Sequence, residues 1–193
     1  MTTRAPQTEQ AGSYGFADGP HTSYKIGEAE SGVVASEYGN GYHHVTRLTV
    51  NVTNAMSTGD NASLGTGALL YTFPAGEIIV ESAYMSMGLT ATVEQAADTP
   101  DIGLGTVIAT GAVATLDGTA TFENLITGQT AADAAGTASV VTTLLTAGTP
   151  LLIPTASAHT VHFNAADAWA DDTSADLTCD IAGVVVLKWQ WMG

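Results

Sequence analysis

The chain has 193 residues, and its 4 lysines and arginines face 19 aspartates and glutamates, a formal net charge of −15. Duplex DNA and anionic membranes are both gripped by Lys and Arg, so this balance excludes nucleic acid and membrane surfaces as natural partners. Only 12% of the residues are charged, about half the usual share. Solvent-facing polarity therefore falls to Thr, Ser and Asn, which suit exposed strand faces better than helices.

Residues 1–42 read as an extended, irregular N-terminal arm, and residues 43–193 as one all-β domain. The opening Met-Thr-Thr-Arg-Ala-Pro is followed by no apolar segment, which points to synthesis in a cytoplasm without processing. Glycines punctuate the arm, and Tyr14, Phe16, Tyr24, Tyr38 and Tyr42 are spaced along it. Glycine hinges with aromatic anchors suit a segment that becomes ordered on a neighbour.

From residue 45 the pattern changes. Leu48, Val50 and Val52 alternate with Arg47, Thr49, Asn51 and Thr53, as in a half-buried strand. Residues 54–67 read as a polar loop and 68–73 as a short apolar strand. Pro74-Ala75-Gly76 is a turn into a strand from Glu77 to Thr92. Strands are expected over 102–110 and 112–116, with Asp117-Gly118 as a hairpin signal into 119–126. Residues 127–138 are a small-sided insertion. Short strands follow at 140–145, 150–153 and 160–163, then an acidic loop over 164–176 carrying Trp169. The longest apolar run, 177–191, places Val185, Leu187, Trp189 and Trp191 on one side and Val184, Val186, Lys188 and Gln190 on the other. Many short strands without a helical period predict an antiparallel β-sandwich or barrel, jelly-roll-like in outline.

Few residues assemble into chemistry. Tyr42-His43-His44 is the most suggestive cluster, but adjacent histidines on a strand point to opposite faces and do not share a metal. Asp167, Asp171, Asp172, Asp176 and Asp180 concentrate carboxylates; a solvated loop is the first reading, with calcium at Asp171, Asp172 and Asp176 as the alternative. Cys179 is the only cysteine and reads as a buried small hydrophobe. Gly103-x-Gly105 lacks the third glycine of a dinucleotide loop, and neither a P-loop nor a Gly-x-Ser-x-Gly elbow occurs. No enzyme and no cofactor are expected. Trp169, Trp189 and Trp191 read as core or interface residues rather than a sugar-stacking platform.

The stretches Glu37-Tyr38-Gly39-Asn40-Gly41-Tyr42-His43-His44-Val45-Thr46-Arg47-Leu48-Thr49, Tyr71-Thr72-Phe73-Pro74-Ala75-Gly76-Glu77-Ile78-Ile79-Val80, Asp101-Ile102-Gly103-Leu104-Gly105-Thr106-Val107, Asn164-Ala165-Ala166-Asp167-Ala168-Trp169-Ala170-Asp171 and Val186-Leu187-Lys188-Trp189 resemble small virion structural proteins of tailed phages, especially marine ones. The resemblance spans residues 37–191 and lies in composition and turns, not in a catalytic signature. It implies a capsid decoration or cement protein on the outer surface of a virion, binding the major capsid protein and itself as a homotrimer. The interface anchors expected on this reading are Arg4, Tyr14, Phe16, Tyr24, Lys25, Tyr38, Tyr42 and Arg47, because aromatic residues and arginine dominate interfaces. The alternative from another class is a carbohydrate-binding or host-attachment module, in a head fibre or tail.

Overall fold

The computed structural model describes residues 27–40, 42–58, 64–91, 99–118, 121–131, 139–144, 150–157, 159–167 and 177–192. These residues form eleven strands and no helix: β1 (Glu28–Ala29), β2 (Val33–Gly39), β3 (His43–Thr58), β4 (Gly65–Thr72), β5 (Ile78–Ala91), β6 (Asp101–Gly105), β7 (Ile126–Thr130), β8 (Ser139–Leu144), β9 (Leu151–Ile153), β10 (Thr160–Ala166) and β11 (Leu177–Trp191). One sheet has the order β1-β4-β10-β6-β7 and the other β2-β3-β11-β5-β8, with β9 also on β5. Every pairing is antiparallel. The fold is the β-sandwich of the two expected alternatives.

The core lies between the sheets. β11 runs through the middle of the six-stranded sheet, flanked by β3 and β5 along most of its length. Its buried side chains are Cys179, Ile181, Val185, Leu187 and Trp189, while Val184, Val186, Lys188 and Gln190 face outward, as the alternation predicts. Leu48 and Val50 of β3 and Met85, Met87 and Leu89 of β5 meet them from the same sheet; Leu70, Tyr71, Ile102, Leu104, Val161 and Phe163 close the core from the other. On β5 the inward phase shifts between Val80 and Ala83, and the register with β11 slips at Lys188/Trp189. Glu81 is the extra residue of this bulge. Its carboxylate pairs with Lys188 Nζ at 2.8 Å and accepts a hydrogen bond from Gln190 Nε2.

The boundary of the arm differs from expectation. Residues 28–39 are not irregular: β1 pairs with β4, and β2 pairs with β3 over its full length. The inward positions of β2 are Val33, Ala35, Glu37 and Gly39. Only one of these is a large apolar residue, so the alternation leaves no hydrophobic trace. The polar loop is also shorter than 54–67, because β3 continues to Thr58 and β4 begins at Gly65. Likewise β10 continues to Ala166, into the expected acidic loop.

The hairpin expected around Asp117-Gly118 does not form. Residues 106–118 and 121–125 make no ladder, and side chains take over its role. Asn164 Oδ1 accepts the Ala109 N–H at 2.9 Å, Asp101 Oδ2 that of Leu116 at 3.2 Å, and the buried Glu123 those of Asp117 and Gly128 at 3.0 and 3.1 Å. Asn164 Nδ2 donates to the carbonyls of Val107 and Phe122. Local turn propensity yields here to tertiary hydrogen bonds. Gly103 and Gly105 have a packing role: a Cβ at Gly105 would lie 2.1 Å from the Phe122 carbonyl carbon.

Two glycines should respond differently to alanine. Gly183 (φ 147°) would set a Cβ 2.2 Å from the Ser86 carbonyl oxygen, whereas Gly111 (φ 64°) has nothing within 4 Å. Thermal unfolding should show Gly111→Ala lowering Tm by roughly 2–4 °C, the equivalent of about 1 kcal/mol. Gly183→Ala should cost about 3 kcal/mol or more, since backbone strain and a steric clash between central strands combine.

Candidate interaction surface

The Tyr42-His43-His44 cluster divides as strand geometry requires. His43 is exposed on the outer face, and His44 points inward with 2% exposure. The His44 ring stacks on Trp189 at 4.3 Å between centroids and 15° between planes. Trp189 Nε1 donates to Thr46 Oγ1 at 2.8 Å, and Thr46 Oγ1 donates to Glu37 Oε1 at 3.4 Å. His44 Nδ1 lies 3.7 Å from the same carboxylate oxygen. Phe73 meets both Trp189 and Tyr71 edge-on. This polar and aromatic knot is sealed inside the sandwich. Trp189 is therefore a core residue.

Burial dominates its electrostatics. His44 is lowered to about 4, first by burial and second by the neighbouring His43 charge, so it is neutral in the folded protein at pH 7. The Tyr71 hydroxyl is raised, first by burial and then by the Glu37 carboxylate. The Cys179 thiol is pushed up to about 11, by burial and then Asp180, as suits a buried hydrophobe rather than a nucleophile. Glu81 is held below the usual carboxylate range, chiefly by its hydrogen bond with Lys188.

Outward, a different set converges. Tyr38 of β2 stands opposite Val45 of β3, and Val45 opposite Lys188 of β11. Arg47 is in the next outward row, opposite Ser36 and Val186. Its Nη1 donates to Thr49 Oγ1 at 2.7 Å, and among the described residues no carboxylate pairs with it. Arg47 and Lys188, the two basic residues among those described, thus share one face of an acidic protein.

Tyr42 caps this end at the β2–β3 turn and is 71% exposed. Asn40 Oδ1 shapes the turn by accepting the N–H groups of Tyr42 and His43 at 2.9 and 3.0 Å. The Tyr42 carbonyl accepts the Trp191 N–H at 2.8 Å, tying the turn to the end of β11. Trp191 is half-buried, and its indole donates to the Ala75 carbonyl at 3.0 Å. Met192 beyond it is exposed, as is Leu152 of β9. Leu152 opposes Ile79 and Ile79 opposes Gln190 on the same sheet.

Tyr38, Tyr42 and Arg47 of the expected anchors are thereby brought to one end of the six-stranded sheet, with Trp191 beside them. Arg4, Tyr14, Phe16, Tyr24, Lys25 and Trp169, and the carboxylates Asp171, Asp172 and Asp176, lie outside the described residues. Sequence reasoning missed Leu152 and Met192; an isolated exposed apolar residue gives no signal until the strand order sets it beside others. Among the described residues no group of three or more His, Cys, Asp or Glu side chains is placed to hold a metal. No protein-family model, curated protein or solved structure matches the chain.

The buried histidine makes stability depend on pH. Between about pH 6.5 and pH 4 the unfolded chain binds a proton at His44 that the folded chain refuses. Stability conferred by this group is therefore complete above pH 6.5 and is lost as pH falls toward 4. Denaturant unfolding at pH 7 and pH 4.5 should differ by about 2–3 kcal/mol more in the native chain than in His44→Phe, which keeps the stacking but does not titrate.

Proposed function

We propose that this protein is a capsid decoration protein that cements the head of a tailed phage by binding the shell of major capsid protein. The observation that carries the reading is the convergence of Tyr38, Tyr42 and Arg47 with exposed Leu152 and Met192 at one end of the six-stranded sheet. Tyrosine and arginine supply the largest single contributions to protein interfaces, and apolar neighbours exclude water around them. A net charge of −15 resists self-aggregation, so the ground around Arg47, beside a Lys188 already neutralised by Glu81, is where an acidic partner surface docks with least repulsion. With Cys179 as its only cysteine the chain can form no internal disulfide, which suits a protein made in a reducing cytoplasm. The glycan-binding alternative needs an exposed tryptophan face; of the two described tryptophans, Trp189 is buried and Trp191 half-buried with its indole N–H satisfied.

The test uses heads assembled without this protein and titrated with it. Tyr42→Ser combined with Arg47→Glu should weaken binding at least tenfold, about 1.4 kcal/mol, while thermal unfolding stays unchanged because both side chains are exposed. Unaltered occupancy would overturn the assignment of this face. The arm is tested by removing residues 2–26, not beyond, since β1 and β2 belong to the sheets; occupancy should fall while the sandwich folds. Light scattering should report three copies of the 19.6 kDa chain, the closed symmetry suited to a shell site.

A further inference from the structure

Where an antiparallel sheet meets solvent on one side, its outward positions are ordinarily polar. The outer face of the six-stranded sheet departs from that rule. Read across β2, β3, β11 and β5, one row is Val34, Thr49, Val184 and Ser86, and the next is Ser36, Arg47, Val186 and Tyr84, in register. Val34 is 66% exposed, and Val184, Val186 and Tyr84 are half-buried. These two rows make a ridge. On its far side the row Asn51, Ala182 and Gly88 drops away into a groove of about 510 Å³. A ridge of branched and aromatic side chains thus lies beside a trough of small ones.

Charge also sets this face apart. Along β11 from Lys188 to Asp180, the charged groups of the outer face are Arg47, Lys188, Glu81 and Asp180, which sum to zero. By contrast, Glu28, Glu30, Asp101, Asp117, Glu123 and Asp167 lie with the five-stranded sheet and its connections, which hold no lysine or arginine among the described residues. Two copies of a chain of net charge −15 meet there with like charge against like, and meet across the six-stranded sheet without it. The face is large enough for the purpose. Five strands about 4.8 Å apart and eight residue steps of β11 at about 3.4 Å each cover roughly 700 Å². That is close to the ~800 Å² each partner buries in a stable, specific interface. We infer that this face is where copies of the chain associate, the valine ridge of one seated in the small-residue trough of the next. The inference rests on the self-association in the reading above and not on its shell partner.

Light scattering on the full chain alone, without heads, tests the inference. At micromolar concentration the native protein should run as two or more copies of 19.6 kDa. Val184→Glu combined with Val186→Glu sets two like charges on the ridge from outward positions, and should reduce the mass to a single copy with the β-sheet circular dichroism unchanged. Val34→Glu carries the test if the double variant does not fold, because that side chain is 66% exposed on an edge strand. It should raise the dissociation constant at least tenfold. A native chain that runs as one copy would overturn the inference. Variants that stay assembled like the native chain would overturn it too, by placing the contact on another surface. Assembled native protein that leaves heads bare would instead sink the shell-binding reading and leave this face assigned.

Discussion

The indole N–H of Trp189 has no access to water, and a buried donor left unpaired costs several times what a made hydrogen bond contributes. Its acceptor is the hydroxyl of Thr46 on β3, and that hydroxyl in turn reaches Glu37 on β2. One donor thus sets the mutual register of β11, β3 and β2 from within the core. His44 lies flat on the same ring, and Phe73 braces it from the edge. The alternation that turns Trp189 inward also turns Lys188 outward, beside Val45 and Tyr38. The composition of the outer face is fixed from beneath.

The two sheets share this core but differ in how they meet solvent. The six-stranded sheet is long, and its outer face carries Arg47, Lys188 and Tyr38. The five-stranded sheet is short, and its β6–β7 connection is held by carboxylates and amides accepting and donating backbone hydrogen bonds. Asp101, Glu123 and Asn164 serve there as substitutes for a ladder. Part of the chain's acidity is therefore structural, spent on amide groups rather than displayed.

Much of the fold was legible in the residues. β11 matched from Leu177 to Trp191, and the inward side of β3 could be read from Leu48 and Val50, because large apolar side chains carry the period. β2 was illegible, since Glu37 and Gly39 occupy inward positions that normally hold valine or leucine. The irregular segment after β6 was illegible because its partners, such as Asn164, lie far along the chain. At the surface, Tyr38, Tyr42 and Arg47 could be picked out by residue type. Their meeting on one end could not.

The placement of β11 also bears on how the protein is made. The strand that fills the middle of the six-stranded sheet is encoded after all its neighbours. Until residue 191 has left the ribosome, β3 and β5 each present an unpaired edge along the line where β11 will insert. Such edges template pairing with other chains, and a topology dominated by distant contacts folds slowly. The nascent protein therefore holds its most association-prone surfaces open until synthesis of this region is complete. Any truncation before β11 leaves them open permanently.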